Sequence, residues 1–213
     1  MDKYLSILTN FGCHFTCPYC IVKKNGINIP KTTVKSLKGL HAAVKSTGAN
    51  IISVSGGGDP LFEYENHNDF YDVLLSYCDR CKLPLEMHTS YIDSSFPYEK
   101  CHRVVYHVRW MIDLDKIKRH GNEKVRVVFV MTAGIHPRTI DAIADYVEQS
   151  ADIDELSFRQ MVDENYETQY YNHEYLKAGH KKRWWYIEQS DYNTYFVDGK
   201  FTNSYKSLIG ERK

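Results

Sequence analysis

The chain has 213 residues and balances 27 Lys+Arg against 27 Asp+Glu, a formal net charge of zero. Hydrophobic residues make up 43% and aromatics 14%, with only 12 Gly and 6 Pro, which excludes disordered and low-complexity classes and supports one domain with a sizeable core. A pI near 7.1 supplies no global basic field for nonspecific nucleic-acid binding, so nucleic acid is an unlikely partner on charge alone.

Met1 to Asn10 has neither the apolar run nor the small-residue cleavage site of a signal peptide. The longest apolar stretch, Val127 to Met131, is far short of the ~20 residues a membrane span needs. A cytoplasmic protein with no membrane partner is therefore expected. In that reducing compartment the cysteines at 13, 17, 20, 78, 81 and 101 favour metal ligation over disulfides where they are closely spaced.

β-Branched runs predict strands at Tyr4 to Leu8, Ile51 to Ser55, Leu85 to His88, Val104 to Val108, Val125 to Thr132 and Leu156 to Arg159. Helices are expected at Thr32 to Ser46, Asn68 to Arg80, Leu114 to His120 and Pro137 to Gln149. The alternation is that of an α/β fold with a parallel sheet, and six units are fewer than the eight of a closed barrel. A partial (β/α)6 barrel over residues 1–161 is expected, with 162–213 as a C-terminal helix and β-hairpin extension packed on the same domain. The hairpin signal is Asp198-Gly199 between apolar residues.

Directly after the first strand comes G-C-H-F-T-C-P-Y-C, a CxxxCxxC loop holding Cys13, Cys17 and Cys20. Three thiolates this close can each hold one iron of a cubane and leave the fourth iron open to a ligand. A structural zinc site is the competing reading, but it calls for a fourth protein ligand.

The loop resembles the signature of the radical S-adenosylmethionine (radical SAM) superfamily, with Tyr19 as the aromatic before the last cysteine. The resemblance implies a [4Fe–4S] cluster on Cys13, Cys17 and Cys20, S-adenosylmethionine (SAM) on its open iron, and Tyr19 near the adenine. Ser55 to Leu61, S-G-G-G-D-P-L, is similar to the family's Gly-Gly-Glu-Pro segment. By that likeness Gly57, Gly58 and Asp59 would face the methionine amine, with Asp59 one methylene shorter than the usual Glu. Leu85 to Ser90 is similar to a family strand end that points polar groups, here His88, Thr89 and Ser90, into the barrel mouth. His107 or Arg109, ending the fourth strand, would bind the SAM ribose or carboxylate, or else be ordinary strand-end residues.

On the sixth strand Arg159 shares a face with Ser157. Facing inward it suits a carboxylate or phosphate, and at the sheet edge it would pair with Asp152 or Asp154. The Cys78/Cys81 pair with Cys101-His102 lacks a fourth thiolate for a complete site and reads as buried cysteines. The basic and aromatic segment from Gly179 to Tyr186 reads as a helix packing its aromatics on the sheet, with nucleic acid or a partner protein as its alternative ligand.

The resemblance implies reductive cleavage of SAM to a 5′-deoxyadenosyl radical that takes hydrogen from a substrate, with an electron donor such as flavodoxin or ferredoxin. A small molecule or nucleotide is the leading substrate class. Nothing after Arg159 resembles the Cys-rich extension of many peptide-modifying members, which disfavours a ribosomal peptide, and Ile21-Val22 follow the last cysteine where the synthase of a carboxylated deazaguanine often has Asp-Thr. A glycyl-radical activase, a macromolecule-modifying enzyme and a noncatalytic binding module stapled by metal are the alternatives.

Overall fold

The computed structural model describes residues 2–24, 26–163, 167–179, 183–187 and 194–208. Strands β1 (Tyr4–Thr9), β2 (Ile51–Gly56), β3 (Leu85–Thr89), β4 (Arg103–Val108), β5 (Lys124–Met131) and β6 (Glu155–Val162) run parallel and pair in chain order. β1 and β6 do not pair with each other, so the barrel stays open. The chain beyond β6 extends both of its edges. β7 (Thr168–Gln169) and β8 (Trp184–Ile187) add to β6, while β9 (Thr194–Val197) lies parallel to β1 and carries β10 (Lys200–Thr202). The predicted hairpin is β9–β10, and Asp198 (φ 45°) and Gly199 (φ 79°) both take the left-handed conformation that a tight two-residue turn demands.

The helices are α1 (Ile21–Lys24), α2 (Leu40–Thr47), α3 (Asn68–Cys81), α4 (Pro137–Gln149) and α5 (His173–Ala178). Strand alternation sends one set of side chains outward beneath them. Ile52, Val54, Met87, Val104, Val127 and Phe158 are buried there with Phe70 and Leu74 of α3 and Ile140 and Val147 of α4, each burial contributing about 1.5–3 kcal/mol. Cys78 and Cys101 belong to this layer, and burial pushes the Cys78 thiol up to about 12.

Two expected helices differ. Thr32 to Ser46 is split: a 3-10 turn at Val34–Leu37 ends before Gly39, whose φ of 87° breaks the helical path, and α2 starts afresh. Leu114 to His120 is not an α-helix but follows a 3-10 turn at Met111–Lys116 into extended chain at Ile117. Only Leu114 and Ile117 are buried there, too narrow an apolar face to hold a helix against the sheet. Lys118 and Arg119 instead reach across to Asp152 and Asp154. The Gly179 to Tyr186 segment is described only in part: Trp184 to Tyr186 lie in β8 rather than in the expected helix, and 180–182 lie outside the described residues.

Arg183 ties the C-terminal segment to the barrel. Its Nη1 lies 2.7–2.8 Å from the carbonyls of Val147, Ser150 and Ile153, so a cation caps the last turn of α4. Arg183→Ala is expected to lower stability by about 2–3 kcal/mol, read as a shift in the urea midpoint, because it orphans carbonyls at that helix end.

Candidate functional site

All parallel strands end at one rim, and the inner face below it encloses a cavity of about 330 Å³. Thirteen residues that the sequence singles out for the cluster, the cofactor or the barrel mouth line this cavity: Cys13, Cys17, Cys20, Tyr19, Gly57, Gly58, Asp59, His88, Thr89, Ser90, His107, Arg109 and Arg159. A larger hollow of about 710 Å³ lies outside the barrel between α2 and α3, and none of the thirteen reaches it.

The cysteine loop leaves β1 through Gly12, whose φ of 121° turns the chain across the rim. Its carbonyl accepts the Asp59 amide at 2.8 Å, and the Gly57 amide donates to Thr9 at 2.7 Å, so the turns after β1 and β2 are laced together. A Cβ on Gly58 would sit 2.0 Å from the Gly12 oxygen, and one on Gly57 2.5 Å from Ile29 Cδ1. The glycines therefore first make room for the chain itself, seating the cysteine loop against the end of β2. All six cysteines are free thiols, and Cys13, Cys17 and Cys20 are each half-buried in the cavity wall. Burial raises Cys13, with the Phe15 amide opposing.

Among the described residues no three His, Cys, Asp or Glu side chains converge where one ion would sit. Three thiols spread along one wall suit a cluster, which takes each ligand on a separate iron, better than a single zinc that gathers four ligands at about 2.3 Å.

Asp59 is buried, and its carboxylate is saturated by the chain. Oδ1 accepts the Leu61 amide at 2.9 Å and the Thr89 hydroxyl at 2.7 Å, and Oδ2 accepts the Ser90 amide at 2.6 Å and the Ser90 hydroxyl. A carboxylate has about four lone-pair positions, so this shorter side chain locks the β2 and β3 ends together instead of offering a free acceptor to an ammonium group. Thr89 lines the wall, but its hydroxyl is committed to that bond.

Arg159 faces inward, the first of its two sequence readings, since Asp152 and Asp154 are taken by Lys118 and Arg119. Arg109 lies over the Phe15 ring at 4.9 Å and over Trp110 at 5.7 Å, so it braces the cysteine loop as well as lining the cavity. Tyr19 is pushed up to about 12 by burial and then by neighbouring Cys17, against the pull of Arg109.

Sequence reading missed the polar floor. Glu86 accepts His88 Nε2 at 2.7 Å and Arg103 Nη1 at 2.6 Å, and Glu155 accepts Arg126 Nε at 2.6 Å. Arg103 Nε lies 3.3 Å from Glu155, close for charge attraction though not aligned as a hydrogen bond. Ser6 and Ser53 bond at 2.7 Å beside them. The available signal was alternate polar residues within strands otherwise rich in Val and Ile. Burial alone would raise Glu86, but His88 and Arg103 outweigh it and hold the carboxyl at about 2. His107, bonded to His88 at 3.3 Å, is driven down to about 3 by burial, with His88 and Arg159 adding and Glu86 opposing, and it is neutral at physiological pH.

An open six-unit barrel with a three-cysteine loop after its first strand is the fold that the resemblance implied. Solved structures of SuiB from Streptococcus suis share it. SuiB bound to its precursor peptide SuiA aligns with a TM-score of 0.66 at 14% identity, over 100% of this chain and 61% of that one. SuiB bound to S-adenosylmethionine aligns at 0.57 and 15% identity, over 89% of this chain and 48% of that one. This chain thus spans about half to three-fifths of the length of those proteins, and the likeness is one of fold. No protein-family model and no curated protein matches the sequence. Among the described residues no helix is long and apolar enough to cross a membrane.

Two outcomes are expected of the buried carboxylates. Asp59→Asn turns an amide NH2 toward donors and should cost about 2–3 kcal/mol in urea unfolding. For Glu86 the folded pKa lies below the unfolded value of about 4.3, so its stabilisation is complete above that pH and lost as pH falls toward 2. Wild type should lose on the order of 3 kcal/mol across that window, and Glu86→Gln should show a flatter profile there.

Proposed function

We propose that the protein is a radical SAM enzyme of a reducing, cytoplasmic compartment, acting on a small molecule or nucleotide. The observation that carries this reading is that Cys13, Cys17, Cys20 and Tyr19 line one cavity together with Gly57 and Gly58, against which the cysteine loop is seated. Cys13, Cys17 and Cys20 would hold a [4Fe–4S] cluster, fed by a donor such as flavodoxin or ferredoxin. When bound and reduced, that cluster supplies the electron that splits SAM into methionine and a 5′-deoxyadenosyl radical.

The chain's residues bind and orient. The Tyr19 ring offers an apolar face for an adenine, and the Gly57–Gly58 backbone lets the cofactor approach the end of β2. Arg109 and Arg159 supply guanidinium forks for the SAM carboxylate or an anionic substrate group. Phe15, under the Arg109 guanidinium, fixes that fork beside the cysteine loop. Asp59 acts behind these groups by holding the rim in shape. A cavity of about 330 Å³ matches the lower end of small-ligand sites.

A second reading, a peptide substrate, is favoured by the neighbour bound to a precursor peptide and by the exposed run Trp110 (64%), Met111 (39%) and Ile112 (71%) next to Arg109. Glycyl-radical activation belongs with this macromolecular alternative. Anaerobic reconstitution with iron and sulfide, then SAM and dithionite, tests both readings at their common step. We expect about four irons per chain and 5′-deoxyadenosine, each lost to background in Cys13→Ala, Cys17→Ala and Cys20→Ala. Zinc without iron would support the stapled binding module, and product unaffected by all three variants would overturn the assignment.

A further inference from the structure

Below the rim lies a row of side chains that share a hydrogen-bond chain in the cavity. Glu86 and His88 stand on the inner face of β3, and His107 stands beside them on β4. Glu86 is 4% exposed, and Arg103 on its second oxygen fixes it as a carboxylate. It must accept from His88, so His88 Nε2 carries a proton, 2.7 Å from Glu86 Oε1. When both rings are neutral, His88 Nδ1 is then a lone pair, and His107 Nε2, 3.3 Å away, must donate to it. That leaves His107 Nδ1 as a lone pair without a hydrogen-bond partner among the described residues, on a ring that lines the cavity.

We infer that His107 is the proton-exchanging group of this cavity, with His88 and Glu86 positioned behind it, for a ligand carrying an ionisable O–H or N–H. In the forward step the ligand's O–H or N–H bond breaks and an Nδ1–H bond forms on His107. The Nε2–H bond of His107 breaks, and Nδ1–H forms on His88. No electrons change hands, and the reverse step returns the proton.

The surroundings explain why two rings are used. A charge on His107 would be desolvated and would face Arg159 from β6, with Arg109 two residues on along its own strand, while its register partner on β5 is Val128. A charge on His88 instead faces Glu86. Farther down, Arg103 and Arg126 are matched by Glu86 and Glu155, so the floor adds no net charge. The pair thus accepts a proton at the ligand and stores the charge one ring deeper.

The inference rests on the proposed function only in supposing that a ligand enters this cavity. It is tested on protein without cluster or SAM, so its failure is separable from failure of the radical reading. Nitrogen-15 NMR of histidine-labelled protein at neutral pH should find His107 as the Nε2–H tautomer, with a proton on His88 Nε2. Diethyl pyrocarbonate, which acylates an unprotonated imidazole nitrogen, should then modify His107, mapped by peptide mass, with exposed His41 and His136 as internal references. Glu86→Gln and His88→Gln should each slow acylation of His107 about tenfold relative to those references. His107 found as the Nδ1–H tautomer, or a rate unchanged in both variants, overturns the proposal. Should Glu86→Gln fail to fold, His88→Gln, which keeps an acceptor for His107 but cannot store the proton, and the wild-type tautomers decide it.

Discussion

The floor of the barrel rests on four charges that cancel: Glu86 and Glu155 against Arg103 and Arg126. Six parallel strands curled around a hollow cannot fill that hollow with apolar side chains and still leave a ligand site, so the inner face is polar. Buried charges are tolerable only when paired, and these side chains are all less than a fifth exposed. The network spans β3 to β6 and joins Tyr4 of β1 through a contact to Arg103 at 3.4 Å. It ties strands whose outer faces are held by helix packing and keeps the inner space open for the histidines and Arg159 above it.

The rim obeys a different constraint. Two turns cross within hydrogen-bond distance, which glycine at 12 and 58 permits and any Cβ at 58 would block. Asp59 then fastens the third strand end to the second by taking Thr89 and Ser90. The cysteine loop is therefore presented by a rigid frame made largely of backbone contacts, a suitable support for thiols that must meet a ligand in fixed positions. This gives Asp59 a part that its likeness to a family motif did not suggest: a rim lock, with its acceptors spent on the chain.

Much of this was legible along the chain. The six strands stand where β-branched runs placed them, and Asp198-Gly199 turns as such a pair must. The cysteine spacing and the glycine run marked two neighbouring parts of the cavity lining. The misread segments were those in which local pattern was weak: Leu114 to His120 has only two buried apolar residues, and Gly39 divides a run whose spacing looked helical. Glu86, Arg103, Arg126 and Glu155 carried no local signal because the opposite charge that each one meets lies on another strand.

By itself the sequence determined the order of strands, the apolar outer face and the loop of three thiols, because each follows from period, turn chemistry or spacing within a few residues. Tertiary structure alone decided which face of each strand looks inward, and so that Arg159 meets His107 and the cavity rather than Asp152 or Asp154. It also decided that Asp59 is consumed by Thr89 and Ser90, and that Glu86, His88 and His107 form a row. Such contacts depend on strand register and barrel curvature, which bring His88 to His107 across 19 positions and Asp59 to Thr89 and Ser90 across 30 and 31, and no local pattern encodes those distances.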